Sequence, residues 1–414
     1  MNIQLKYKEF TLKLLGYTVV SLTIISTLNL LIDPFGIYNI FNVPGFNKVK
    51  PDIYKKARMS KAHSLYRLNP DTVIAGTSRS EWGINVKNEL LKRDSVKIYN
   101  LSLPGASIIE IFKYIKFANR NGGVKRVILG LDFFSFNALY KDKPDFSDER
   151  LNSKWNLLHE SFTVMLSVDT LLSALQTLYG QNYSGQLQFD RDGQINDDSI
   201  RANYKRLTPY DHLWSGVLTF MKTYFPDANA NFNFKRDELD TIKTFKELIL
   251  YCRNQRISLY LFISPVHAVR LETINALGLW NKYEYWKRSL VRILESEKKQ
   301  SPSIKTILYD FSGYNQFSTE DLPSPDNKSR EMNYFWNDDH YKSEIGDIIL
   351  EILLVENKEN KSTSADFGII LNENTIERHL RETRVKHEKY GANHASISAQ
   401  INDLKALLNS KRAF

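Results

Sequence analysis

Nineteen consecutive residues from Leu14 to Ile32 (LLGYTVVSLTIISTLNLLI) carry no charge. As a helix this run spans about 28 Å, close to the hydrocarbon thickness of one bilayer. Lys6, Lys8 and Lys13 precede it, and no Lys or Arg occurs between Ile32 and Lys48. The positive-inside rule then puts residues 1–13 in the cytoplasm, makes 14–32 a transmembrane signal anchor, and leaves the chain after Asp33 outside. Cleavage as a signal peptide needs a small-residue site of the A-x-A kind. The first alanine is Ala57, and Asp33-Pro34-Phe35-Gly36 is a poor substitute. A buried core helix is the other alternative, because Thr18, Ser21, Thr23, Ser26, Thr27 and Asn29 make the run only moderately apolar. The expected location is the cell membrane, single-pass, with the main domain periplasmic or at the cell surface and the lipid bilayer as a partner.

Beyond the anchor, short apolar runs alternate with longer helical patterns. The runs are Thr72–Ala75, Val96–Leu101, Val127–Leu131, Ile257–Ile263 and Thr306–Phe311; helical patterns fall near Ile108–Ala118, Glu238–Arg253, Trp280–Glu297 and Ser343–Leu354. This alternation predicts an α/β fold, a three-layer sandwich with a mostly parallel central sheet covered on both faces. Residues 141–236 break the rhythm. They are helix-like at Met165–Leu178, then rich in Asn, Asp, Gly and Gln, and read as an insertion or cap over the sheet edge. After Val355 a polar stretch (ENKENKSTSAD) leads into a charged helical tail. The expected organisation is an extracytoplasmic domain at 33–356 and a linker with a tail at 357–414.

Composition narrows the function classes. Hydrophobic residues make up 42% and charged ones 25%, which excludes disorder, collagen and coiled coil for the chain as a whole. The net charge of +9 is compatible with an anionic surface, but the charges are scattered rather than patched, so no nucleic acid is expected. Cys252 is the only cysteine, which excludes an internal disulfide framework and any multi-cysteine metal site. No Walker loop, G-x-G-x-x-G, H-E-x-x-H or zinc spacing occurs, so no cofactor and no metal are implied. Trp280, Tyr283 and Trp286, at helical spacing, read as core.

In an open parallel sheet, ligands bind outside the carboxyl ends of the strands, and three polar segments fall there. Gly76-Thr77-Ser78-Arg79-Ser80 follows the first strand. A serine at a sharp strand-to-helix turn is presented outward with its own N–H aimed into the site, or else it caps the next helix. Tyr99 to Ser107 runs from the second strand into a loop where Gly105 can bring a backbone N–H close to a ligand. Asn337-Asp338-Asp339-His340-Tyr341 precedes the last helix of the domain. Its imidazole can act as a general base held by a neighbouring amide or carboxylate, or be a lone surface histidine. His267, after the fourth strand, can bind substrate, act as an alternative base or be structural. Arg79 can steer an anionic glycan or phosphate, or be a solvated arginine with a packed stem.

Together these segments resemble the SGNH (GDSL-like) hydrolase superfamily, in particular its membrane-anchored alginate O-acetyltransferase-like and D-alanyl-transfer-like branch. The resemblance covers about residues 10 to 356. Gly76-Thr77-Ser78 is similar to the motif carrying the nucleophile, Gly105 to the oxyanion glycine, and His340 stands where the base of the family stands. Two positions depart from the pattern. Asp132 stands near the oxyanion asparagine and reads as a polar orienter, since a carboxylate donates only when protonated. Asn337 stands three before His340, where the family has an aspartate, with Asp338 as a substitute through a shifted turn. The resemblance implies a serine acyltransferase that moves an acetyl or other acyl group to a cell-surface or exported polysaccharide. A membrane-bound O-acyltransferase partner would supply the acyl group. An esterase with water as acceptor, and an inactive glycan-binding or scaffold partner of an export complex, are the alternatives.

Overall fold

Six short apolar segments pair into one sheet: β1 Thr72–Ala75, β2 Ile98–Asn100, β3 Arg126–Leu131, β4 Ser258–Ile263, β5 Leu308–Asp310 and β6 Ile369–Leu371. The computed structural model that shows this describes residues 3–93, 97–140, 143–182, 185–224, 232–300, 306–355 and 366–410. Val96, Lys141, the polar stretch at 356–365 and Phe414 lie outside the described residues. The strand order is β2-β1-β3-β4-β5-β6. The first five strands are parallel, with Thr72 beside both Ile98 and Arg126, and Arg126–Leu131 in register with Ser258–Ile263. Every residue of β1 and β3 is buried, which is why Thr72–Ala75 and Val127–Leu131 read as short, almost wholly apolar runs. The chain is thus α/β with a mostly parallel sheet and one long apolar helix at its N-terminus.

The chain divides into two compact units, described separately here: residues 1–67, 145–191 and 195–203 form one, and 68–144, 192–194 and 204–414 form the other. The stretch expected as a single insertion at 141–236 is therefore shared. Its first part belongs with the N-terminal helix, whereas Pro209–Tyr224 belongs with the sheet.

In the sheet unit, the helix Ile108–Gly122 packs beside Thr241–Asn254, which packs beside Trp280–Gln300. Right-handed crossovers place these three on one face of the sheet. Ser78–Gly83 and Ser343–Leu354 pack together and cover the other face. Ser107 caps Ile108–Gly122 by accepting from the Glu110 N–H at 3.2 Å. Tyr283 and Trp286 are buried against Phe133.

The stretch expected as a tail is part of the same unit. It supplies β6, antiparallel to β5 with Leu308 opposite Leu371. It also supplies two helices, Ile376–Asn393 and Ala395–Ser410. His379 reaches Asp310 at 2.9 Å, and Asp310 also accepts from the buried Lys287 at 2.6 Å.

In the other unit, the helix Ile3–Ile32 is long and apolar enough to cross a membrane. Three of the hydroxyls that made it look less apolar are satisfied within it: Thr18, Thr23 and Ser26 donate to the carbonyls of Leu14, Val19 and Thr23 at 2.9, 2.8 and 3.0 Å. Its end is closed by Lys50, whose Nζ donates to the carbonyls of Ile32 and Asp33.

Candidate active site

The order β2-β1-β3 makes the gap between β1 and β3 the point where successive connections diverge, and ligands bind there at the carboxyl ends. Gly76, after β1, has φ +150°, and a Cβ there would lie 2.6 Å from Ser80 Oγ. Glycine is required for the turn to pass this close. Thr77, fully buried, caps the helix Ser78–Gly83. Its Oγ1 accepts from the Arg79 N–H at 3.3 Å and donates to Asp132 Oδ2 at 2.6 Å. The cap is thus Thr77 and not Ser78, whose hydroxyl is left for other work.

That hydroxyl faces His340 Nε2 at 2.9 Å. The histidine is held by Asn337, whose Oδ1 accepts from the N–H groups of Asp339 at 2.9 Å and His340 at 2.8 Å. Two backbone donors converging on that atom identify it as the carbonyl oxygen of the amide. His340 Nδ1, 3.1 Å away, must then carry the proton it donates to the same oxygen. Nε2 is left as the acceptor of the Ser78 proton, the tautomer a general base requires. The loop itself is pinned by an antiparallel bridge between Phe335 and Tyr341. Trp82, one turn after Ser78, lies over the imidazole with ring centroids 4.4 Å apart.

Beneath this relay sits a layer of buried charge. Arg79 donates Nη1 to Asp132 Oδ1 at 2.8 Å and Nε to Asp339 Oδ1 at 2.7 Å. Arg270, 1% exposed, places Nη2 2.7 Å from Asp338 Oδ2 and lies over the Phe220 ring at 3.6 Å. Burial alone would raise the Asp339 carboxyl, but Arg79, Arg270 and His340 outweigh it and hold Asp339 well below the carboxylate range. Asp338 is instead raised, because burial and neighbouring Asp339 outweigh the pull of Arg270. Burial also lowers His340 to about 4, with Arg79 and Arg270 adding to it and Asp339 opposing, so the ring is neutral at pH 7.

The structure therefore brings Ser78, His340 and Asn337 into one relay. Asp338 is turned away from the imidazole to Arg270, so it does not substitute for Asn337. Asp132 accepts from both Thr77 and Arg79, the orienting role expected of it. Arg79 is not a solvent-facing anion guide, since it is buried with its fork held by two carboxylates. His267 is not at the relay. It caps Ala268–Ala276 through Nδ1, which accepts from the Val269 N–H at 3.2 Å, and its Nε2 meets the Glu320 carbonyl at 3.0 Å. Gly105, at φ +60°, lies in the loop tied to β1 by the Leu103 N–H and the Gly76 carbonyl at 3.0 Å.

Sequence reasoning missed Trp82 and Arg270. Trp82 could have been found from its position one turn after the serine; nothing local marks Arg270. No family model matches this chain, and neither a curated protein nor a solved structure matches it.

Proposed function

We propose that the protein is a membrane-anchored, SGNH-type serine O-acyltransferase that moves an acetyl or other acyl group to a hydroxyl of a cell-surface or exported polysaccharide. The observation that carries the reading is the relay from Ser78 Oγ to His340 Nε2 at 2.9 Å and from His340 Nδ1 to Asn337 Oδ1 at 3.1 Å. Ser78 Oγ attacks the acyl carbonyl and its proton passes to His340 Nε2. The tetrahedral oxyanion is held by backbone N–H groups of Ser78 and Gly105. The donor's alkoxide leaves with that proton, forming an acyl-serine ester. The acceptor hydroxyl then gives its proton to His340, attacks the ester, and Ser78 recovers the proton. An imidazole kept neutral by burial is ready for the first step.

Incubation with an activated acetyl ester and a polysaccharide bearing free hydroxyls tests this. The expected result is a stoichiometric burst of leaving group, then turnover that rises with acceptor and leaves acetyl on the glycan. Turnover indifferent to the acceptor would make the protein an esterase.

The pH profile follows from the same geometry. The free-enzyme kcat/KM should hold through neutral pH and fall only as pH drops toward about 4, where His340 takes up a proton. An acid limb centred near the ordinary histidine value of 6.5 would show that the ring is not buried as described.

Asn337→Asp adds a negative charge against His340 Nδ1, which favours the imidazolium. It should move the acid limb to higher pH and raise turnover by roughly tenfold. An unchanged limb would remove Asn337 from the relay.

A further inference from the structure

Two helices of the N-terminal unit, Lys154–Leu166 and Val168–Tyr179, turn their apolar sides outward. Trp155, Leu158, Phe162 and Leu166 recur every three or four residues, as do Val168, Leu172, Leu175 and Tyr179, so each set forms one stripe. Both stripes are exposed; Trp155 is 68%, Phe162 60% and Tyr179 88% accessible. Several polar groups point the other way, while Lys154, His159, Thr163, Asp169 and Gln176 are exposed. Thr170 and Thr177 are buried, and Glu160 is held by His63 and Arg150. Hydroxyls of Ser161 and Thr177 donate to the Leu157 and Ser173 carbonyls within their own helices. A helix pair in water does the reverse, and an apolar surface of this extent marks an interaction face.

The position of the bend says what covers it. The helices meet at 68° around Ser167, and as a pair they are long and apolar enough to count as a membrane element. Asn29, fully buried in the last turn of Ile3–Ile32, donates Nδ2 to the carbonyls of Val164, Met165 and Ser167 at 3.4, 2.9 and 2.9 Å. The Val164 and Ser167 carbonyls also accept from the N–H groups of Ser167 and Leu171, so the amide of the apolar N-terminal helix joins a bend whose backbone is already hydrogen-bonded. Tyr38, just past that helix, donates its hydroxyl to the Ser161 carbonyl at 2.6 Å. The bend is thereby tied to the depth at which the N-terminal helix ends.

We propose that Lys154–Leu166 and Val168–Tyr179 form an elbow lying in the lipid headgroup–acyl boundary of the bilayer that the N-terminal helix crosses, on the leaflet where that helix ends. The inference rests on reading Ile3–Ile32 as a membrane anchor. Lipid fits the face because backbone and hydroxyl groups are satisfied internally and Trp155 and Tyr179 stand at its two ends, as interfacial aromatic rings do. Exposed Lys154, His159 and Asp169 keep the elbow at the interface rather than across the core.

The test uses the full chain in phosphatidylcholine–phosphatidylglycerol vesicles, with an environment-sensitive thiol fluorophore on Phe162→Cys, Leu172→Cys, Leu22→Cys or Lys243→Cys. The native Cys252 is buried, which shields it from the label. The expected result is that probes at positions 162 and 172 emit to the blue, lose most of their fluorescence to shallow nitroxide lipids, and resist aqueous iodide. The Leu22→Cys probe should respond to deep nitroxides and the Lys243→Cys probe to iodide alone. If the position-22 probe is in lipid while those at 162 and 172 are open to iodide, the anchor stands and the elbow is overturned. Shielding from iodide without lipid quenching at 162 and 172 means that protein covers the face, which also overturns it. An iodide-accessible probe at position 22 removes the anchor, and the elbow with it.

Discussion

Ser78→Ala should lower acyl transfer by about 10³-fold or more while leaving the melting temperature within a few degrees. The two halves of this expectation come from different atoms. The Ser78 hydroxyl faces His340 Nε2 at 2.9 Å, so its removal deletes the nucleophile and leaves the base with nothing to deprotonate. The helix that begins at Ser78 is capped by Thr77, whose Oγ1 takes the Arg79 N–H at 3.3 Å, so no cap is lost. Ser78 is also only half-buried, and its truncation opens no closed cavity. Full turnover in the variant would mean that another group attacks the acyl carbonyl. A large fall in melting temperature would mean that the hydroxyl is structural.

Arg79→Met should be the most destabilising single change near the site, by about 3–5 kcal/mol. The guanidinium is buried between Asp132 and Asp339, and its own protonation is fixed, since those carboxylates outweigh the effect of burial and raise it further. Taking it away leaves the buried Asp132 without this guanidinium and Asp339 with the more distant Arg270 at 3.5 Å, a loss of roughly 10 °C in melting temperature for the unit. The loss should depend on pH. Asp339 is held below its ordinary value near 3.8, so its contribution is complete above that value and disappears as pH falls further. The gap between wild type and Arg79→Met should therefore narrow in acid. Arg79→Met combined with Asp132→Asn should cost less than the two single changes added, because the second removes a charge that the first strands. Equal melting temperatures at pH 7 would mean that Arg79 is not committed to these partners and is available to a ligand.

The strands and the position of Ser78 were legible for one physical reason. A strand buried on both faces is almost continuously apolar, as Val73–Ala75 and Val127–Leu131 are, and a polar cluster straight after such a run lies at the sheet edge. Ser78 was found that way, and His340 from its place just ahead of the helix Ser343–Leu354. The role of Asn337 was legible as a spacing, three before the histidine, but its choice over Asp338 was not. That depends on which side chain turns toward the ring, and Asp338 is drawn away by Arg270 of the helix Ala268–Ala276. Nothing in the local sequence announces Arg270, since an ion pair between distant segments leaves no periodic signal. The same limit applies to His267. A histidine after a strand looks like a candidate base until both ring nitrogens are seen to be taken by the backbone. The edge strand Ile369–Leu371 was hidden by its length, three residues behind a polar stretch. The division of the insertion was hidden because a helix with an outward apolar stripe has the same periodicity as one with an inward stripe.

The proposed chemistry requires Ser78 to be a nucleophile activated by His340. Treatment of the intact protein with a fluorophosphonate, followed by digestion and tandem mass spectrometry, reads it directly. A phosphonyl adduct should form on Ser78 at neutral pH and be all but lost in His340→Ala. An adduct on a different residue, or one on Ser78 that forms equally fast without His340, would contradict it.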